Sequence, residues 1–540
     1  MGYVQGGGAA GRGTKERRVI GEAGESHSER SIKPSGTFSP APVSGPAPGS
    51  FAASGSRPVG SGPGSVGWTR GERVYGAGMG HYTGLHMNAL FATPPAFLTW
   101  QLIVSVVVIL MVVHLLLVLA GGSTYLERKI SAYIQDRIGP NRVGLDLGLP
   151  ALSFLKGLFG LGQPLADGLK FILKEDYTPR GVDKILFSLA PIVVVIPALI
   201  GFIIIPWGGG LALPEVTLPV LNWTIPAQTV LVAGADINVG VVYLLAVASL
   251  SIYGITLAGW ASNNKYSFLG GLRASAQMIS YEIPMGLAIL TVLLVVGSLL
   301  PSKIISHQTE HGWLIFAQPL AAVIFYICLL AESNRAPFDN AEAESELVGG
   351  YHTEYGAMRW GLFFLAEYSH LVTSSAFFAL LFLGGYHLPL TWVGATASHW
   401  LSPENVTWIG VLAKFHVFIG KTMGLIFLAM LVRWTLPRLK FDQVMSIAWN
   451  AVIPLSIAIV LLTSALIAFG RTGTLEMLAL NGVLALVFVL LAPRTLGQTR
   501  VQRTRIAGSR FYPLAGEAVK TQSAEPMARE DRPVQGTAPI

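Results

Sequence analysis

LTWQLIVSVVVILMVVHLLLVLA, residues 98–120, contains no Asp, Glu, Lys or Arg and no Gly or Pro. A helix of about 20 apolar residues spans the roughly 30 Å hydrocarbon layer of a bilayer. In lipid the backbone must satisfy its own hydrogen bonds, so the run reads as a membrane helix. Further apolar runs fall at about 185–206, 239–260, 282–300, 313–332, 360–384, 409–432, 447–469 and 474–492, which makes nine. The composition agrees. The chain of 540 residues is 52% hydrophobic and 12% charged, where a soluble domain carries about 25% charged residues. The fold class is therefore all-α, a polytopic membrane protein of about nine transmembrane helices.

The loops after the first, third and seventh runs are basic: Arg128, Lys129, Arg137, Arg142, Lys170 and Lys174, then Lys265 and Arg273, then Arg433, Arg438 and Lys440. The intervening loop WGGGLALPEVTLPVLNW has no Lys or Arg. The positive-inside rule puts the first set in the cytoplasm, with the N-terminus outside and the tail bearing Arg494, Arg500, Arg503 and Arg505 inside. Within the long loop 121–184, QPLADGLKFILKEDYTP starts with Pro164 at a first helical position. It repeats Leu165, Leu169, Ile172 and Leu173 on one face, which predicts an amphipathic helix lying in the membrane interface. An ordinary connector helix is the competing reading. The loop YLERKISAYIQDRIGPNRVG gathers Glu127, Arg128, Lys129, Asp136, Arg137 and Arg142 around a Gly-Pro turn, suited to lipid headgroups or to the mouth of a pocket for an amphipathic ligand.

Residues 1–90 are rich in Gly, Ser, Pro and Arg and cannot bury enough surface to fold. They lack the apolar core of a secretory signal. They read either as a disordered tail or as sequence upstream of the true start. The second is favoured, since MNALFATPPAF from Met87 suits a membrane protein's beginning.

AESNRAPFDNAEAESELVGGYHTEY, residues 331–355, holds six acids between two apolar runs: Glu332, Asp339, Glu342, Glu344, Glu346 and Glu354. Its one basic residue is Arg335. In a helix, Asp339, Glu342 and Glu346 would share a face. Clustered carboxylates in a poorly solvated place resist ionising together and can hold and pass protons. The alternative is a solvated acidic loop that docks on a basic partner. Glu282 sits at the expected cytoplasmic end of the fourth run and Glu367 inside the sixth. Ionisable groups at membrane depth are costly and usually face a polar path or a partner. Lys421, which follows Lys414 within the seventh run, is expected to pair with an acid. Arg433 either pairs or snorkels to headgroups. The single cysteine, Cys328, cannot hold an iron–sulfur cluster. The sequence offers no phosphate-binding loop, dinucleotide fingerprint, metal-ligand spacing or Ser/His/Asp signature.

YLERKISAYIQDRIGPNRVG, GQPLADGLKFILKEDYTP, SFLGGLRASAQMISYEIP, AESNRAPFDNAEAESELVGGYHTEYGAMRWGLFFLAEY and RWTLPRLKFDQVMSIAWNAVIPLS together resemble the H subunit family of bacterial NADH-quinone oxidoreductase, respiratory complex I. The resemblance covers 97–470. It leaves an extra transmembrane helix at 471–493, a basic disordered cytoplasmic tail at 494–540, and an insert, LDLGLPALSFLKGL, at 145–158. It implies a cell inner membrane protein that forms part of a quinone chamber and carries a proton relay. The relay residues would be Glu282, Glu332, Asp339, Glu342, Glu344, Glu346, Glu354, Glu367 and Lys421. The chamber and its entrance would be bordered by Arg137, Asp167, Lys170, Lys174, Arg433, Arg438 and Asp442. Quinone, ubiquinone for example, would be the substrate, with FMN and iron–sulfur clusters in partner subunits. The implied partners are the peripheral quinone-site subunits, small membrane subunits and lipid, with no nucleic acid and no metal in this chain. Homologous subunits of ferredoxin-, F420- or hydrogenase-linked membrane complexes share this pattern. A secondary transporter or channel is the reading from another class.

Overall fold

A computed structural model describes residues 99–145, 154, 156–218, 223–340, 342, 348–389 and 399–495. The tail 1–90, most of the insert 145–158, Glu344, Glu346 and nearly all of 494–540 lie outside the described residues. In chain order the helices are α1 (Trp100–Ile134), α2 (Gln163–Leu173), α3 (Lys184–Ile200), α4 (Gly240–Ala261), α5 (Lys265–Val296), α6 (Pro301–His311), α7 (Leu314–Ala317), α8 (Pro319–Glu332), α9 (Ala357–Phe382), α10 (Trp408–Thr435), α11 (Phe441–Ile447), α12 (Ile453–Ala468) and α13 (Thr474–Thr495). Between α3 and α4, β1 (Gly210–Leu213) pairs antiparallel with β4 (Gln228–Leu231), and β2 (Val216–Leu218) with β3 (Trp223–Ile225).

Among the described residues eight helices are long and apolar enough to cross a membrane. The chain is a multi-pass all-α membrane protein. The expected fifth span is the exception. It is split at Gln318, and α8 has 14 residues, about 21 Å at 1.5 Å per residue. Pro319 has no N–H to carry α7 onward. Polar contacts from α13 fill the break: Asn481 Nδ2 donates to Ala317 O (3.2 Å) and to Gln318 Oε1 (2.8 Å). Such side-chain bonds hold helices together where lipid supplies no hydrophobic drive.

Two helices exceed their expected runs by more than ten residues at one end, and both differences bear on functional side chains. α1 starts on a Thr99 cap, whose hydroxyl accepts from Leu102 N at 3.3 Å. It passes through Gly121 and Gly122 and ends at Ile134, before Asp136 (φ 55°) and Gly139 (φ 70°) turn the chain. Thus Glu127 stands on a helix, not in a loop. α5 begins at Lys265 rather than 282, so Glu282 lies mid-helix.

α9 is buried almost without interruption from Tyr368 to Phe382, as expected of a central helix apolar on all sides. α3 and α4 approach closely at Gly254, where a Cβ would meet Val194 N at 2.9 Å and Ala190 O at 3.0 Å. α13 and the apolar part of α1 are mostly uncovered and offer apolar side chains outward. α2 has no buried residue, and Leu165, Leu169, Ile172 and Leu173 are exposed on it.

Candidate functional site

The extension of α1 brings Glu127 into the middle of the bundle, with 7% of its surface exposed. Arg335, from the turn after α8, donates Nη1–H to Glu127 Oε2 at 2.9 Å. Tyr368 of α9 donates its hydroxyl to the same oxygen at 2.6 Å. Arg433, near the end of α10, bonds Glu127 Oε1. Arg335 Nε also lies 2.8 Å from Glu367 Oε1, and its guanidinium sits 4.0 Å over the Tyr368 ring. Three helices and one turn thus meet at a cluster of two carboxylates, two guanidiniums and a phenol. A buried charge is tolerated only when paired and hydrogen-bonded. The paired carboxylates hold the Arg335 guanidinium well above its ordinary pKa despite burial. Asp339, four residues on from Arg335, bonds Arg438 Nη2 at 2.7 Å instead.

Among the described residues, 333–340 and 342 are not helical, so Asp339 does not stand on a helix face with Glu342. Pro337 interrupts it, and Phe338 packs on Tyr281 of α5 at 5.2 Å between ring centroids. Leu439 N donates to Pro337 O at 3.0 Å, which docks the turn on the segment following α10. Burial pushes the Asp339 carboxyl up to about 6, against the pull of Arg438. Glu342 accepts from the Tyr351 hydroxyl and from Asn334 Nδ2 (3.3 Å). Asn334 Oδ1 in turn accepts from Gln277 Nε2 of α5 (3.3 Å), which also reaches Ala331 O (2.9 Å). Farther along, Ser249 of α4 bonds Glu282, and Glu332 lies within electrostatic reach of Glu282. Glu332 and His370 line a 20 Å³ cavity, the size of about one water molecule. Glu354 accepts from Asn264 Nδ2 at 2.5 Å.

Lys421 stands apart, and the expected acid partner is corrected. Its Nζ donates to the carbonyls of Leu383 (2.6 Å), Gly385 (2.8 Å) and His387 (2.5 Å), and lies 4.5 Å over the Trp313 ring. These carbonyls follow the C-terminus of α9, where a cation complements the helix dipole. Lys414 Nζ likewise donates to a carbonyl, that of Asn405, at 2.8 Å.

Two adjoining cavities reach the Glu127 cluster. One, of 490 Å³, is lined by Glu127, Ser131, Tyr368, Arg433 and Trp434. The other, of 240 Å³, is largely apolar, lies between α1, α2 and α9, and is lined by Phe171, Ile172, Met358, Gly361 and Leu365. They share Thr124, Arg128, Trp360, Phe364 and Tyr368. Asp167 of α2 borders the apolar cavity and bonds Arg128 at 2.5 Å. Lys170, Lys174, Arg137 and Asp442 line neither cavity. Sequence reading placed Glu127 in a loop at a pocket mouth and not at the centre of an ion cluster, and it did not single out Tyr368, Tyr351, Asn334 or Gln277. The absence of Gly and Pro from 123 to 134 was the signal for the helix under Glu127.

A bundle of membrane helices that buries a multi-residue ion cluster beside an apolar cavity defines a multi-pass membrane protein with a polar centre among its helices. Comparison with known proteins places it further. A family model described as NADH dehydrogenase matches residues 106–464. The chain is 42% identical over 367 residues to an NADH-quinone oxidoreductase H subunit of Cytophaga hutchinsonii, covering 68% of this chain and 97% of that one. It is 43% identical over 366 residues to an H subunit of the same enzyme from Geobacter sulfurreducens, covering 67% and 94%. With the H subunit from Salinibacter ruber the identity is 40% over 368 residues, covering 67% and 96%. The chain belongs to the family of NADH-quinone oxidoreductase H subunits.

Proposed function

We infer that this chain is the membrane subunit of a proton-translocating NADH-quinone oxidoreductase that admits quinone and passes the charge change of its reduction to carboxylates inside the bilayer. The observation that carries this reading is the joined pair of cavities. The apolar part, open between α1, α2 and α9, suits a long hydrocarbon tail. The polar part ends on Glu127, Tyr368 and Arg433, which suit a ring with two carbonyl acceptors. The exposed apolar face of α2 would rest in the interface and guide the ligand in. FMN and iron–sulfur clusters would reside in partner subunits, and the isolated chain would be inactive.

Two-electron reduction of a quinone to a quinol takes up two protons. The polar string from the Glu127 cluster through Glu367, and from Asp339 and Glu342 toward Gln277, Glu332 and Glu282, is the path along which that demand would be felt. Glu344, Glu346 and Glu354 belong to the same proposed relay. Lys421, bonded to carbonyls and lying over an aromatic ring, is assigned to anchoring α9 instead. Basic loops on the Glu127 side would face the cytoplasm of a bacterial inner membrane.

Gly168 lines the apolar cavity, and a Cβ there would meet nothing within 4 Å. Gly168→Phe in the assembled complex is expected to raise the apparent KM for long-tailed quinone about tenfold while kcat changes little, with Gly168→Ala near wild type. An unchanged KM in Gly168→Phe would count against entry at this place.

A further inference from the structure

Helix α6 carries groups that the quinone reading leaves unused. One face is buried through Pro301, Ile304, Ile305 and Gln308. The other presents His307, Glu310 and His311, neighbours three and four residues apart. The imidazoles of His307 and His311 are stacked, with centroids 4.4 Å apart and planes 16° from parallel.

His311 Nδ1 lies 3.2 Å from the His307 carbonyl. A carbonyl only accepts, so Nδ1 donates in this contact and Nε2 is the nitrogen left to face a metal, the arrangement in which a backbone-held imidazole ligates. His307 is half-buried, and its Nδ1 is buried without a hydrogen-bond partner among the described residues. Glu310, three residues on from His307, adds an exposed carboxylate to the same helix. Lys303, one turn earlier, is exposed.

We propose that His307 and His311 form a binding site for a divalent transition metal of the zinc class. Zn–N bonds of about 2.0–2.1 Å at a tetrahedral angle put two ligand nitrogens about 3.3 Å apart. Two histidines at i and i+4 on one helix face are a spacing that holds zinc. Imidazole ligands select zinc, copper or nickel over magnesium or calcium, which take oxygen. Among the described residues no group of three or more His, Cys, Asp or Glu could hold a metal. Water would therefore complete the coordination around the two imidazoles, and the ion would exchange.

The site's position gives it a consequence. Gln308, between the two histidines, donates to Leu380 O at 2.9 Å, and its Oε1 accepts from Gly384 N at 2.9 Å. An ion bridging His307 and His311 fixes the turn of α6 that braces the end of α9 remote from Glu367.

The test is equilibrium dialysis of zinc-65 against the chelator-washed, assembled complex. His311→Gln, at an exposed position, is expected to weaken one equivalent of zinc at least tenfold, with NADH-quinone turnover of the metal-free enzyme unchanged. His307→Gln should weaken the same equivalent, and the double variant should be no worse than either single one, as for two ligands of one ion. Millimolar magnesium should not compete. Superposable zinc isotherms for wild type and His311→Gln overturn the proposal, as does loss of the equivalent to magnesium.

Discussion

Arg335 and Glu127 are 208 residues apart in the chain, yet their side chains meet at 2.9 Å, both nearly removed from solvent. The contact joins the turn after α8 to the first membrane helix. Glu127 also receives Tyr368 and Arg433, so it is the carboxylate on which three elements converge.

Glu127→Gln removes the charge that balances Arg433 and half of Arg335's compensation. Breaking a buried pair by removing one partner costs about 3–5 kcal/mol. The variant should assemble poorly, and what assembles should unfold at a lower temperature and turn over quinone more than tenfold more slowly. Glu127→Asp should retain part of both. Thermal unfolding and NADH-quinone activity of the purified complex measure this.

Asp339 titrates at about 6 in the folded chain, against 3.8 for the unperturbed carboxyl. The folded state then binds the proton more tightly than the unfolded one. The associated stability is present below about pH 4 and is lost as pH rises through about 6. Asp339→Asn should flatten the fall of the thermal midpoint between pH 4 and 6, measured against wild type in the same detergent. Arg438→Gln removes the lowering influence and should move the transition to higher pH.

Lys421→Met leaves three carbonyls without their donor, at about 1–3 kcal/mol for each buried group left unsatisfied. Complex yield and thermal stability should fall. The protons moved per electron by the surviving complex in vesicles should stay at the wild-type ratio. A lowered ratio would return Lys421 to the relay.

Glu282→Gln and Glu342→Gln keep shape and hydrogen bonding while removing a titratable site. If these acids carry protons, each should lower the protons translocated per electron at near-normal assembly. Wild-type stoichiometry in either variant would take that residue off the path.

The apolar runs were legible because lipid imposes one backbone solution on them, and a strong match of several motifs made the family legible too. Finer placement was not. Gly121-Gly122 resembles a helix end by local propensity, but α1 continues because Tyr368, Arg335 and Arg433 hold Glu127 beyond it. The spacing of Asp339 and Glu342 suggests a shared helix face, but Pro337 and the docking of Phe338 on Tyr281 give each acid its own partner. Hydropathy could not see the break at Gln318, since a buried glutamine satisfied by Asn481 depends on a helix more than a hundred residues later. Lys421 was expected to seek an acid because pairwise charge is all a sequence displays. Backbone carbonyls at the end of α9 are invisible until the helices pack.

The most direct test of quinone entry beside Glu127 is photoaffinity labelling of the assembled complex with a quinone whose tail carries the photoreactive group, followed by peptide mapping. The account predicts adducts on α2 and α9, around Phe171, Trp360 and Phe364, suppressed by excess unlabelled quinone. Labelling confined to other subunits, or to parts of this chain away from that cavity, would contradict it.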